Sequence, residues 1–312
     1  MTDATKYSAP DASSTEFEIS FRDDATEADR KNAELSVAAL VARSVASVAQ
    51  DRAEEADLAE MTDSVNGPFL KLIEEDPLAV KALDKLRTHE LMRPDAMETL
   101  RRDALPNLTY DAMPPVPQRA ANLRSLGFVP PYDFSWAWHD GNGNAPFSIL
   151  IDRPSGNLGL DARSGALPGG ASGFVNAHAG FGVFLRSDTP GQRFPHAVLN
   201  PGRWSNVLKT VGIGSNATSE GGFELTVFED GRLLAAASRK LWRTRIGAGE
   251  SASGGEGWHL ITGPELEFTI QPGRGYTFNA GVWVFSDRST GIGAAAVQSL
   301  LQGIVTRMWV FG

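Results

Sequence analysis

The side chains best suited to chemistry lie in one short run, residues 139–144, which reads His-Asp-Gly-Asn-Gly-Asn. Its oxygen-bearing members Asp140, Asn142 and Asn144 stand at alternate positions, as the first ligands of a calcium loop do. An EF-hand loop also needs a bidentate Glu at position 12, where this chain has Ile151. Asn and Gly are equally typical of a tight turn between two strands. The sequence favours the turn and leaves ion or ligand binding as the alternative, with the residues His139, Asp140, Asn142 and Asn144.

Just before this run, Trp136 and Trp138 alternate with small residues and share one strand face with Phe134. If that face were exposed, the rings would form a platform for sugar rings or for a protein partner. If it is buried, the same alternation fills the core of a β-sandwich. The core interpretation is favoured, and ligand binding by Trp136 and Trp138 stays open.

Two carboxylates, Glu265 and Glu267, would share a strand face about 7 Å apart at their Cα atoms. Retaining glycosidases place their two carboxyl groups about 5 Å apart, so a catalytic pair is admissible. An exposed, solvated strand face explains the pair equally well and is favoured. The sequence therefore predicts no catalytic residue.

Three histidines, His178, His196 and His259, could converge as ligands of zinc, copper or iron, although their spacing has no metal-binding pattern. The chain has no Cys, which excludes disulfides, thiolate catalysis and Cys-based zinc or iron–sulfur sites. We expect no metal and no cofactor.

The first part of the chain predicts helices. Residues 1–25 are expected to be a disordered arm with one short strand at 15–21, and 26–105 an acidic helical domain. Thr26 and Asp29 resemble a capping box that opens a helix running to about Met61, before a break at Asn66-Gly67-Pro68. Further helices are predicted over 77–91 and 94–104. They would form a small bundle or an arm for oligomerisation or docking.

A proline-rich linker over 106–131 separates this part from a β domain at 132–312. Here the apolar residues recur every second position, and turns follow closely with no room for crossover helices. The fold class is therefore α+β in two parts, a helical segment followed by an antiparallel β-sandwich of jelly-roll type. The predicted strands are 132–138, 147–152, 180–186, 207–213, 222–229, 232–242, 258–261, 265–270, 276–286 and 297–311.

Two turns are specific. Asp230-Gly231 is typical of a type I′ hairpin, and 271–275 reads as a second turn. The strand at 147–152 is expected to return from residues 139–144 as the hairpin partner of the aromatic strand.

Residues 291–305 carry no charge. They are interpreted as a buried loop that leads into the last strand, or alternatively as a membrane-inserting segment.

Charge limits the partners. The formal net charge is −10 over residues 1–120 and +1 over residues 121–312. The chain therefore lacks the basic surface that nucleic acid requires. The cluster Arg239, Lys240, Arg243 and Arg245 is interpreted as a solvated strand face. The sequence shows neither a secretory signal nor an apolar run long enough for a spanning helix. We therefore expect a soluble protein, cytoplasmic by default.

These patterns favour a non-enzymatic binding or assembly protein with a helical oligomerisation or attachment arm. Its partner would be protein, through self-association or an assembly partner, or else a carbohydrate. A membrane-active or toxin-like protein and a saccharide-acting hydrolase or lyase remain as alternatives.

Overall fold

The computed structural model describes residues 5–6, 17–82, 85, 125–142, 147–164, 173–186, 189–289 and 292–312. Within these ranges the chain forms one long α-helix and two antiparallel β-sheets. The elements are β1 (Thr5–Lys6), β2 (Phe17–Phe21), α1 (Glu27–Glu74), β3 (Ser125–Phe128), β4 (Phe134–Gly141), β5 (Phe147–Asp152), β6 (Asn157–Ser164), β7 (Gly173–Arg186), β8 (Gly191–Ile213), β9 (Asn216–Glu229), β10 (Arg232–Ile246), β11 (Ser251–Thr262), β12 (Phe268–Ile270), β13 (Gly275–Ser289) and β14 (Ile292–Phe311).

The two sheets stack face to face as a sandwich. The eight-stranded sheet has the order β1-β5-β6-β14-β8-β11, with β12 paired to β8 and β3 to β14. The six-stranded sheet has the order β10-β9-β13-β7-β4-β2. Between them lies a core of alternating apolar side chains, among which Phe181, Phe223 and Phe278 are fully buried. The predicted antiparallel β-sandwich is confirmed.

Successive strands mostly alternate between the two sheets. The hairpin at Asp230-Gly231 is confirmed, since both residues have the positive φ angles (48° and 78°) that a type I′ turn requires. The predicted pairing of the aromatic strand with its successor is wrong. β4 pairs with β2 and β7, whereas β5 pairs with β1 and β6 in the opposite sheet. The chain between β4 and β5 therefore joins two sheets and does not close a hairpin.

Several strands extend further than the sequence predicts. β8 and β14 run for 23 and 20 residues. Residues 292–305 are part of β14 itself, hydrogen-bonded to β6 and β8, so they form a strand of the sheet and not the predicted loop. In contrast, only Phe268–Ile270 of the strand predicted at 265–270 is observed.

Two further strands lie outside the predicted β domain. β1 falls in the arm that was predicted to be disordered, and β3 in the predicted linker. They pair with β5 and β14 in the eight-stranded sheet.

Helix α1 begins where the sequence predicts it. The Thr26 side chain accepts a hydrogen bond from the Asp29 backbone N–H, which satisfies one of the free donors of the first turn. The helix does not end near Met61 or break at Asn66-Gly67-Pro68; it continues through them to Glu74. Pro68 removes only one hydrogen bond from a long cooperative helix, and the bonds on both sides are retained.

Residues 77–82 are helical, as the pattern from Pro77 onward predicts. The remainder of that helix, apart from residue 85, lies outside the described residues, as do the helix predicted over 94–104 and the linker up to 124. Among the described residues, no helix is both long enough and apolar enough to cross a membrane.

Gly180→Ala tests how tightly the six-stranded sheet holds its aromatic layer. A Cβ at Gly180 would lie 2.5 Å from the Ala280 carbonyl oxygen and 2.5 Å from the Trp136 ring. Neither backbone nor buried ring can move freely, so we expect a loss of roughly 1–3 kcal/mol in thermal or urea unfolding. Gly67→Ala is the matched control, because its Cβ meets open space. Equal stability of the Gly180→Ala variant and wild type would contradict this packing.

Asp29→Asn tests the first turn of α1. Burial acts to raise the pKa of this carboxyl, but hydrogen bonds from Thr26 and Arg186 outweigh it and leave the pKa below its usual value. The lowered pKa contributes stability above the unfolded-state pKa of about 4, and that contribution is lost as pH falls further. We expect the variant to be about 0.5–1 kcal/mol less stable at pH 7 in urea titrations, with the difference closing below about pH 3. Asp23→Asn, exposed near the same helix end, is the matched control, because it removes one charge and leaves the Thr26 and Arg186 contacts of Asp29 in place.

Candidate functional site

The first half of α1 packs on the outer face of the six-stranded sheet. Its buried residues Ala33, Val37 and Leu40 form a second apolar cluster with the aromatic row of β4 and with Phe228. This row consists of Phe134, Trp136 and Trp138, each at most 1% exposed. The sandwich therefore has a third layer on one side, and the helix is that layer.

This burial corrects the interpretation of Trp136 and Trp138 as ligand-binding residues. Trp136 lies flat over Gly180 and Gly281, where any side chain would collide with its ring. Trp138 lies against His178, with ring centroids 4.2 Å apart. Both indoles are covered by the helix layer and offer no exposed ring face to a sugar. Their common strand face was predicted correctly, and it faces α1.

The run at residues 139–144 is not a simple turn. His139 and Asp140 continue β4 opposite Ala177 and Asn176. Asn142 extends the ladder by one step, since its side-chain Oδ1 accepts a hydrogen bond from the Phe174 N–H at 3.0 Å. Asn144 lies outside the described residues. Ligand binding by His139, Asp140, Asn142 and Asn144 stays a prediction.

The remaining candidates are Glu265, Glu267 and three histidines. The histidines are divided between the two sheets, and Glu265 lies close enough to His196 to interact with it electrostatically. Glu265 and Glu267 are exposed in an irregular segment before β12 and not on a strand face. His196 packs on Trp309, and burial lowers the pKa of its imidazole. His259 contacts Glu256 on β11 of the same eight-stranded sheet. His178 lies in the other sheet, and the described residues contain no group of three His, Asp or Glu side chains that could hold a metal ion.

A cleft of about 340 Å³ lies where α1 leaves the apolar contact and passes over β7, β9, β10 and β13. One wall is helical, and its floor is the outer face of the sheet. The cleft brings together aromatic, cationic and hydroxyl side chains. Those used below are Arg43, Ser44, His178, Glu224, Trp283 and Phe285.

A hydrogen-bonded chain crosses this cleft. Ser44 Oγ on α1 lies 3.1 Å from His178 Nε2 on β7. His178 Nδ1 lies 2.8 Å from Glu224 Oε1 on β9. Asn176, two residues before His178 on the same strand face, donates from Nδ2 to Ser44 Oγ at 3.2 Å. Because an ionised carboxylate only accepts hydrogen bonds, Glu224 holds the proton of a neutral His178 on Nδ1 and leaves Nε2 able to accept one.

The imidazole of His178 is fixed by its neighbours across the sheet. Trp138, His178 and Trp283 stand in register on β4, β7 and β13. The rings stack at centroid distances of 4.2 Å and 6.4 Å, with interplanar angles of 16° and 24°. The ring is only 4% exposed, so its orientation toward Ser44 and Glu224 is set by packing.

Charged pairs surround the cleft. Glu220 pairs with both Lys240 and Arg243 of β10. At the other end, Arg52 of α1 pairs with Asp287 Oδ1 at 2.9 Å and covers the Phe174 ring at 4.2 Å. Of these pairs, only Arg52–Asp287 ties the helix to the sheet; the Glu220 pairs join β9 to β10.

Three polar contacts fix the position of α1 along the sheet. Ser36 and Thr277 share a buried hydrogen bond of 2.9 Å. Asn32 Oδ1 accepts from the Gly231 N–H in the β9–β10 turn, and Arg186 pairs with Asp29. Ser44 lies about two turns beyond Ser36 on the same helix face, so this register determines its distance from His178.

Sequence reasoning treated His178 only as a possible metal ligand and did not consider Ser44 or Glu224. These residues come from three elements separated by 134 and 46 positions. One local signal was available: Asn176 and His178 are polar residues two apart in the otherwise apolar strand at 173–186. Buried polar groups of this kind need partners, and here they find them on α1 and β9.

The chain matches no family model and no curated protein. Among solved structures, the CBM22-1–GH10 modules of the Clostridium thermocellum endo-1,4-beta-D-xylanase 10B align at 8% identity with a TM-score of 0.13, covering 55% of this chain and 25% of that chain. The Gx strain structure of infectious bursal disease virus aligns at 12% identity with a TM-score of 0.13, covering 56% of this chain and 39% of that chain. The structure of T=1 particles derived from infectious bursal virus aligns at 12% identity with a TM-score of 0.14, covering 64% of this chain and 43% of that chain. The chain thus spans less than half of each, and TM-scores this low do not define a shared fold.

Ser36→Ala tests the register of α1. The substitution leaves the fully buried Thr277 hydroxyl without its partner on the helix, and we expect a loss of roughly 1–3 kcal/mol in urea unfolding. Replacing both hydroxyls, as Ser36→Ala with Thr277→Val, should recover part of that loss because no unpaired group remains. Ser47→Ala, exposed on the same helix, should change stability by less than about 0.5 kcal/mol. Additive single effects would show that the pair does not couple the helix to β13.

Proposed function

We propose that the protein is a binding or assembly protein, in which the β-sandwich is the body and the second half of α1 is the attachment arm. The observation that carries this proposal is the length of the helix beyond its support. Among the described residues, Arg52 makes the last ion pair between α1 and the sheet. The helix continues for 22 further residues to Glu74, about 33 Å at 1.5 Å per residue.

The described side chains of this arm are mostly solvated. Glu54, Asp57, Lys71 and Leu72 are exposed, with Leu72 66% accessible. Leu78 in the following helical turn is 77% accessible. A partner that binds the arm would cover these exposed apolar side chains.

The charge of the arm favours a basic partner. Residues 53–76 carry eight acidic side chains and one basic one. The body offers a basic surface on β10, which is an edge strand of the six-stranded sheet. Its exposed cations are Arg239, Lys240, Arg243 and Arg245. Charged side chains on an edge strand oppose strand-to-strand aggregation, and they also complement an acidic helix.

These features support self-association, with the acidic arm of one copy against the basic edge of another. Such a contact joins two different surfaces and therefore builds rings or open chains of subunits. It also gives the arm a partner, and tertiary contacts supply most of the stability of protein helices.

Glu54→Lys with Asp57→Lys tests the arm. We expect sedimentation of the wild-type chain to show species larger than a monomer, and the double variant to dissociate at least about tenfold more readily, since two attractions become repulsions. High salt should weaken the wild-type association in the same direction, because exposed charges are screened.

The matched control places the same charge change on the supported end of the chain. Asp23→Lys with Glu34→Lys replaces two exposed acidic residues there and should leave the association unchanged. A wild-type chain that remains monomeric at all concentrations would contradict self-association. An equal effect of both double variants would assign the association to net charge and not to the arm.

A further inference from the structure

We propose that the cleft between α1 and the six-stranded sheet is an acyl-transfer site, in which Ser44 is the nucleophile, His178 the general base and Glu224 the residue that orients the base. The cleft shares Lys240 and Arg243 with the basic edge of β10, but the activity does not depend on the assembly role. The arrangement of hydroxyl, imidazole and carboxylate is the one that activates a serine: nucleophile and base within hydrogen-bond reach, and the base held by a third group. The two distances, 3.1 Å and 2.8 Å, meet that geometry.

The base and its supporting residues are shielded from solvent, whereas the nucleophile faces the cleft, as a serine nucleophile must. His178 and Asn176 are buried at 4% and 2% exposure. The Glu224 side chain is 12% exposed, so the carboxylate is largely shielded from water. Ser44 is half-buried in the wall of the cleft and is the member from which a substrate could be reached.

Asn176 adds a second argument. Its Oδ1 lies 3.1 Å from His178 Nε2. While the imidazole is neutral with its proton on Nδ1, two acceptors face each other there. Once Nε2 has taken the serine proton, the same contact becomes a hydrogen bond from Nε2–H to the amide oxygen. Asn176 therefore stabilises the imidazolium more than the resting base, and such differential stabilisation lowers a barrier.

The other end of the same amide faces the nucleophile. Asn176 Nδ2 donates to Ser44 Oγ at 3.2 Å. A donor at this place can turn to the oxyanion that forms on the carbon bonded to Oγ, as side-chain amides do in oxyanion holes. Asn176 is thus assigned to charge stabilisation at both ends of the proton transfer.

The size of the cleft suits a small substrate, and the proposed chemistry suits a carboxylic ester. Its volume of about 340 Å³ is at the lower end for small-molecule sites. The half-buried rings of Trp283 and Phe285 line one side and suit an apolar acyl group. Arg43 on the helix wall is one of four cations in the lining, which also contains the carboxylates Asp51, Glu220 and Glu224.

The reaction balances with water as the second reactant. Ser44 Oγ bonds to the acyl carbon while its proton passes to His178 Nε2. The bond from that carbon to the alkoxy oxygen then breaks, and the leaving oxygen takes the proton from His178. Water next loses a proton to His178 and attacks the acyl carbon. The bond from that carbon to Ser44 Oγ breaks, and Oγ takes the proton from His178, which releases the carboxylic acid and restores both residues. One ester and one water give one acid and one alcohol.

A fluorophosphonate probe tests the nucleophile directly in the full chain, because it phosphonylates activated serine hydroxyls with loss of fluoride. We expect stoichiometric labelling of wild type, located by mass spectrometry on the peptide that contains Ser44. Ser44→Ala should abolish labelling and the hydrolysis of p-nitrophenyl acetate. Ser47→Ala, one turn further along the helix, should be labelled as wild type is. No labelling of wild type, or equal labelling of Ser44→Ala, overturns the proposal.

Glu224→Gln tests the positioning role with a readout that a structural role would not move. The maximal labelling rate should fall at least about 100-fold, while the probe concentration for half-maximal rate stays constant. Glu224→Asp should restore part of the rate. His178→Gln should lower the rate at least as much, and matching thermal unfolding of the Glu224 variants and wild type shows that the fold is kept. A Glu224→Gln rate equal to wild type overturns the assignment.

Discussion

The packing of the first half of α1 on the outer face of the six-stranded sheet is the contact on which the other features depend. That face carries Phe134, Trp136, Trp138 and Phe228, all buried in one cluster with side chains of the helix. Each aromatic side chain buries about 150–250 Å². Exposing the four to water would therefore lower the stability of the fold by several kcal/mol for each side chain. The helix in turn needs this face, because its own stability in water is marginal without tertiary contacts. Sheet and helix stabilise each other.

The cleft follows from the shapes of these two elements. A β-sheet twists, whereas an α-helix is nearly straight, so the two surfaces can stay in contact over a limited length only. The fully buried apolar residues of the helix end with Leu40 and Val41, and Val45 adds a partly buried contact. Beyond the fully buried part the surfaces separate, and polar side chains from Ser44 onward meet His178 and Glu224 on the sheet. Arg52 then closes the contact with Asp287.

Patterns that act over a few residues were readable in the sequence. The alternation in β4, the Thr26 cap and the Asp230-Gly231 turn depend on neighbours in the chain, and they were found. The partner of β4 was not, because pairing within a sandwich joins distant segments and nothing local selects β7 over β5. Likewise, alternation shows that Trp136 and Trp138 share a face but not which layer covers it.

The same limit applies to the cleft, whose Ser44, His178 and Glu224 meet only after the sandwich and α1 are assembled. Hydrogen bonding shows why the polar groups lie at this edge. Under the apolar part of the helix, the indole N–H groups of Trp136 and Trp138 find no acceptor among the described residues. A polar group buried there is tolerated only where it is paired locally, as Ser36 is with Thr277, because an unpaired one destabilises the fold. At the cleft, both His178 nitrogens have partners and the Ser44 hydroxyl remains close to solvent. The edge of the helix contact is therefore where this fold can hold a polar cluster that is both satisfied and accessible.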